Sequence, residues 1–264
     1  MQIERQQLQH GLQLKIACGT PFDSLKEAKT REYNSFLSNY LSEGRIIIKW
    51  LLINKGVPMK IYETTGFPNP LRVRIALAEK GATNKVIFVP VDVMGGEHRT
   101  SAFKAKNPDA TVPLLELDDG TCIAHCNAIT EYLDGIFDGP SLTGTSPKER
   151  AVIAMMNIRA ESGLMNAVGA YFHHATQGLG PDLETWQCPD WGSKQKEVAQ
   201  LTMTYLDGVL TESDFVAGNR FTVADITAYA GLVFAEFAKV EIPENLRALR
   251  AWRDRVAARP SING

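Results

Sequence analysis

Cysteine is scarce in this 264-residue chain: Cys18, Cys122, Cys126 and Cys188 are too few and too scattered to build a disulfide framework. That usage favours a reducing cytoplasm. Charge of one sign is also lacking, since the formal net charge is −2. Such a balance leaves no global basic field for nucleic acid or anionic lipid and argues against both partners. Long hydrophobic runs are missing as well. The best near the start, "IIIKWLLI" at 46–53, is interrupted by Lys49 and falls far short of the ~20 residues a bilayer requires. One cluster suggests a metal, "CIAHC" from Cys122 to Cys126 with His125, but its ligands are too close together for the spaced pairs of a structural zinc site. We expect no metal there, and buried thiols instead.

What the chain does have is an ordinary globular composition, 44% hydrophobic and 22% charged, and enough length for one large or two modest domains. Residues 1–58 carry scattered polar residues, no sustained period and a linker-like "NKGVP" ending. Glu4, Asp23, Glu27, Glu32 and Glu43 argue against a transit peptide, which is acid-poor. The expectation is an N-terminal extension: a loosely ordered arm, or an artefact of an upstream start with the biological chain opening at Met59.

From Lys60 the pattern sharpens. "KIYE" reads as a strand, "PLRVRIALAEKG" as a helix with Pro70 in its first turn and Gly81 as its stop, and "KVIFVPVD" at 85–92 as a second strand. "TSAFKAKNP" gives a brief helix, and "TVPLLELDDGTCIA" a hairpin pairing Leu114–Leu117 with Thr121–Ile123 across an Asp-Asp-Gly turn. A last helix runs from about Cys126 to Phe137. This β-α-β-α-β-β-α order over residues 59–139 predicts an α/β sandwich of thioredoxin type.

After the linker "DGPSLTGTS" no strand signal remains, and residues 146–264 read as an all-helical domain. Ser146-Pro147-x-Glu149 is a capping box opening a helix that runs to about Ala175. "KQKEVAQLTMTYLDGVL" is a second helix, Thr222-x-x-Asp225 caps a third, and a fourth follows Pro243.

Taken together, "RVRIALAEKG", "GGEHRTSAFKAKNPDATVPLLELDDG", "AITEYL" and "VAGNRFTVADI" resemble a soluble glutathione transferase over nearly everything from Met59 onward. The likeness is to an atypical microbial, yeast-type and theta-like branch whose first bundle helix contains "YFHHAT", here Tyr171 to Thr176. It implies reduced glutathione as co-substrate, small apolar electrophiles as second substrates, and a homodimer. It also implies a cis bond at Val112-Pro113 that turns the Val112 backbone outward to the cysteinyl part of the tripeptide, next to Thr111. His98 and Arg99 stand where relatives place donors for the glycine carboxylate. At the γ-glutamyl end relatives usually have Glu-Ser, whereas here the pair is His125-Cys126. The helix N-terminus still offers N–H groups and a dipole, but the acid that would hold the ligand ammonium is gone.

The thiolate is the nucleophile, so a transferase must stabilise it. Most relatives use a hydroxyl or thiol a few positions before "RVR"; Phe67, Pro68 and Asn69 stand there in this chain. Asn69 is the side chain of that window able to donate to sulfur, either instead of or together with capping the helix. Thr64 and Thr65 are weaker candidates. A second route, implied by the microbial branch, is a water held by a serine and a histidine. His173 and His174 are retained, and the serine position is Gly169. Met155, Met156, Met165, Tyr171 and Phe172 are candidates either for an electrophile pocket or for plain core. Two other readings stay open: a glutathione-dependent disulfide or peroxide reductase, against which the lack of Cys-x-x-Cys in the turn argues, and a non-catalytic binding module.

Overall fold

The computed structural model describes residues 59–263, so the expected extension over 1–58 lies outside the described residues. The first half holds β1 (Lys60–Glu63), α1 (Pro68–Glu79), β2 (Ile87–Pro90), α2 (Ser101–Lys104), β3 (Leu114–Glu116), β4 (Cys122–Ala124) and α3 (Cys126–Ile136). The sheet order is β2-β1-β3-β4, with β1 parallel to β2 and antiparallel to β3. This is the thioredoxin-like mixed sheet that the sequence predicts. Alternation along β1 separates its two faces. Ile61 joins Val73 and Leu77 of α1 and Ile129 and Leu133 of α3 in one cluster, while Tyr62 packs with Phe103 and Leu114 on the other face.

Helix α1 is buried on two sides. Val73 and Leu77 meet the sheet, and Ile75 and Ala76 belong to the core of the helical half. It starts two residues earlier than its pattern suggests, with Phe67 at the cap. The second strand is shorter than predicted because a single 3₁₀ turn, Thr83–Lys85, occupies its start.

The helical half comprises α4 (Pro147–Ala160), a π turn (Glu161–Met165), α5 (Asn166–Ala175), α6 (Pro189–Glu212), α7 (Val223–Phe237), α8 (Arg247–Ala257) and α9 (Pro260–Asn263). The long helix read through to Ala175 is therefore interrupted, and such bulges re-aim the side chains that follow. At Gly163 an added Cβ would collide with Thr202 of α6, so the bulge sits where two backbones approach closely. The Ser146 hydroxyl accepts the Glu149 N–H at 3.2 Å, but the Glu149 carboxylate takes the Thr145 N–H at 2.7 Å rather than that of Ser146. The predicted box is thus shifted by one residue on its return arm.

At α7 the capping box is complete. Asp225 accepts the Thr222 N–H at 2.9 Å, and Thr222 accepts the Ala224 N–H at 3.3 Å. Asp225 also receives the Val216 N–H at 2.8 Å and the Trp252 indole at 3.1 Å, which ties α8 and the preceding loop to the centre of the bundle.

Candidate active site

The turn after β1 leads directly into α1. Gly66 takes a left-handed φ of +87° that lets the chain reverse, and a side chain there would strain it. Thr64 donates its hydroxyl to the Val91 carbonyl at 2.8 Å and Thr65 donates to Glu63 at 3.3 Å. Both hydroxyl protons are therefore engaged. Pro68 and Pro70 have no N–H, and the Leu71 N–H bonds the Phe67 carbonyl at 3.1 Å. The Asn69 N–H is what remains open in the first turn, so the helix presents one backbone donor instead of several.

Asn69 is the second residue of α1, so the cap role considered for it falls to Phe67, which makes no side-chain bond. The Asn69 Oδ1 accepts from Arg72 Nη1 at 3.1 Å and faces Cys126 Sγ at 3.6 Å. Arginine only donates, so the atom turned toward it must be oxygen, and the amide nitrogen is left free to donate elsewhere. Cys126 opens α3 with its thiol buried 3.4 Å from the Asn69 carbonyl. Burial pushes that thiol up from its ordinary pKa, with Arg72 opposing and Glu161 adding to the rise. Cys126 is thereby a packed, protonated group.

His125 caps α3 with φ +66° and ψ +128°, a strained conformation for a residue with a Cβ. Its exposed ring turns away to Asp109, Nε2 to Oδ2 at 3.0 Å, and no side chain caps the helix. Val112-Pro113 is cis, and among the described residues the Val112 N–H has no backbone partner. The preceding Thr111 carbonyl is fixed by buried Asn107 at 2.8 Å. His98 is buried with Nδ1 unpartnered, and burial first, then Arg99 and Lys104, lower its pKa. It is consequently an imidazole N–H donor and not a cation. Arg99 is exposed and donates to the Leu183 carbonyl at 2.8 Å.

In the helical half, His173 Nδ1 lies 2.6 Å from Glu184 Oε1 and makes no contact with Asn69. A Cβ at Gly169 would meet the ring of Phe234 at 3.3 Å. The position expected for a serine is thus lined by that ring. Of the apolar candidates, Met156 and Met165 are core, Met155 is exposed on the outside, and Tyr171 carries the Lys196 ammonium over its face at 5.0 Å. Phe172 packs beside Phe234 at 5.5 Å and exposed Phe237 at 5.6 Å.

Family models describe residues 57–135 as "Glutathione S-transferase, N-terminal domain" and residues 193–260 as "Glutathione S-transferase, C-terminal domain". The Saccharomyces cerevisiae protein named Glutathione S-transferase 2 is 51% identical over 217 residues, 81% of this chain and 93% of its own. The chain belongs to the glutathione S-transferase family. Among solved structures, a glutathione S-transferase domain-containing protein of Marinobacter aquaeolei is 86% identical, with a TM-score of 0.77 over 77% of this chain and 99% of that one. Gtt2 from Saccharomyces cerevisiae follows at 52% identity and a TM-score of 0.76, over 77% of this chain and 98% of that one.

This glutathione S-transferase carries a polar network that the sequence reading missed. Arg72, 3% exposed, donates to Glu161 at 2.9 Å, Asn127 at 2.8 Å and Thr227 at 3.0 Å besides Asn69. Asn127 returns a bond to Glu161 at 2.6 Å, and Asn157 links Asn127 and Thr227 at 2.9 and 2.6 Å. Five side chains from α3, α4, the π turn, α7 and α1 thus converge behind Asn69 and fix its amide. A signal was available, since Arg72 interrupts an otherwise apolar stripe one turn after Asn69.

Proposed function

We propose that this protein conjugates reduced glutathione to small apolar electrophiles through a stabilised thiolate. The observation that carries the reading is a set of unused donors in the first half: the Asn69 amide and N–H, the Val112 N–H beside its cis proline, and the uncapped start of α3. The Val112 edge suits the cysteinyl amides, with Thr111 and Pro113 holding it. The first turn of α3, from His125 and Cys126, suits the γ-glutamyl carboxylate, and His98 and Arg99 suit the glycine carboxylate. Asn69 stabilises the thiolate by a charge-assisted hydrogen bond, and His173 takes up the thiol proton through a bridging water. The exposed ring of Phe237 beside Phe172 offers an apolar wall for the electrophile.

Conjugation needs no enzyme-bound intermediate. The sulfur anion attacks the electrophilic carbon, and either a leaving group departs with its electron pair or an acceptor carbon takes up a proton. Cys126, buried and protonated, argues against a reductase working through an enzyme thiol there; one working through the glutathione thiolate is separated by the mixed-disulfide assay below. Detoxification in the cytoplasm, with two copies joined through the exposed side chains of Ile136, Val152, Met155 and Ile158, completes the proposal. A hollow of about 470 Å³ between α3 and α4, edged by Ile158 and Asn157, can receive a partner side chain.

The test is retention on immobilised glutathione together with turnover of a halogenated nitroarene and of a mixed disulfide. We expect retention and nitroarene turnover, and for Asn69→Ala a drop in that turnover of about tenfold or more. Retention with neither turnover would leave the binding-module reading instead.

A further inference from the structure

Between α5 and α6 the chain forms a strap, residues 176–188, that reaches the first half at two points. The Arg99 guanidinium holds the Leu183 carbonyl at 2.8 Å, and Leu179 packs against the cluster of Val91, Val93, Phe103 and Leu114 that Phe67 and Val112 also touch. Glu184 lies at the centre of this strap, with its side chain 10% exposed. Its Oε1 accepts the Leu179 N–H at 2.8 Å and lies 2.6 Å from His173 Nδ1. Gly178 adopts φ +52°, and a Cβ there would strike the Glu184 carboxylate, so the strap backbone leaves room for that group. Gln187 closes the loop by donating to the carbonyls of His173 at 2.6 Å and Thr176 at 2.9 Å.

We propose that Glu184 is the positioning residue of His173: its carboxylate holds the imidazole as the Nδ1–H tautomer and leaves Nε2 with the lone pair that receives the thiol proton. The assignment rests on His173 acting as the proton acceptor. A carboxylate only accepts hydrogen bonds, so the ring nitrogen facing it must carry hydrogen, and in a neutral ring the other nitrogen must then be the base. When the glutathione S–H bond breaks, its electron pair stays on sulfur and the proton passes through the bridging water to Nε2. The resulting imidazolium keeps its Nδ1–H against the carboxylate, which faces the added charge. The proton is then lost to solvent or returned to an addition product. Fixing the ring to the strap also links its orientation to the segment that Arg99 grips.

The tautomer is read directly from long-range nitrogen–proton spectra of the full chain labelled with nitrogen-15 histidine. We expect a protonated Nδ1 and an unprotonated Nε2 at His173 in the wild type. In Glu184→Gln, whose amide oxygen can still accept both the Leu179 N–H and the Nδ1–H, we expect the same tautomer without the carboxylate's charge. The kcat for a halogenated nitroarene should fall about tenfold in that variant with the KM for glutathione little changed. A wild-type Nε2–H tautomer overturns the Glu184 assignment by itself, whether or not the variant folds. Unchanged kcat in Glu184→Gln also overturns it. Unchanged turnover in His173→Asn removes the proton acceptor, and the assignment with it.

Discussion

At the scale of single residues, the site is organised by what is already bonded. The role proposed for Asn69 depends on Arg72, which occupies its oxygen and thereby aims its nitrogen. A guanidinium with four side-chain partners and 3% exposure is costly to disturb. Replacing Arg72 by Met leaves Glu161 without its cation, Thr227 without its donor and Asn127 with Asn157 as its remaining donor. Thermal unfolding should show a loss of about 3 kcal/mol. Changing Glu161→Gln in the same chain should recover part of it, since the unpaired charge is then gone; equal stability of the single and double variants would refute this account. Neither the loss nor the recovery requires ligand.

Elements meet through buried carboxylates, and Asp134 near the end of α3 is the clearest case. It binds Lys80 at 2.9 Å, the Leu142 N–H at 2.9 Å and the Thr143 N–H and hydroxyl at 3.0 and 2.7 Å. Burial would raise its pKa, but these donors outweigh it and hold the group at about 2 against an ordinary 3.8. The sign follows from linkage. On acidification the unfolded chain takes up the proton first, so this stabilisation is complete above about pH 4 and is lost as pH falls toward 2. In Asp134→Asn the folded protein should be less stable at neutral pH, by about 2 kcal/mol, while the gap to wild type closes across that acid window. Denaturant midpoints measured from pH 7 to 2 check it, and a gap constant with pH would refute it. The linker after α3 is consequently a fixed joint, and Leu142 is buried within it.

For the whole molecule the open question is association. Val152, Met155 and Ile158 of α4, with Ile136 of α3, are exposed at 37%, 43%, 60% and 45%. A single chain gains nothing from apolar groups so placed, whereas two copies covering them do. We expect sedimentation velocity to give a dimer for wild type and a monomer for Ile158→Asp, because an uncompensated carboxylate would be buried at the contact. A wild-type monomer at micromolar concentration would refute the dimer, and nitroarene turnover of the variant would then tell whether one copy suffices.

The local pattern was enough to order the strands, place the helices of the bundle and mark Thr222 and Asp225 as a cap, because period, cap and turn chemistry act over a few residues. Likewise Asn69, Val112, Pro113, His98 and Arg99 were legible as candidates from a motif read along one segment. The π turn at Glu161–Met165, the second buried face of α1 and the network through Arg72, Asn127, Asn157, Glu161 and Thr227 were not, since each depends on segments up to 155 positions apart meeting in space. The same holds for Glu184, whose partner His173 lies eleven positions away across a strap with no period of its own. Sequence determined which donors this protein owns; only the tertiary structure decided which of them are already spent and which remain free for a ligand, because a hydrogen bond is made between neighbours in space.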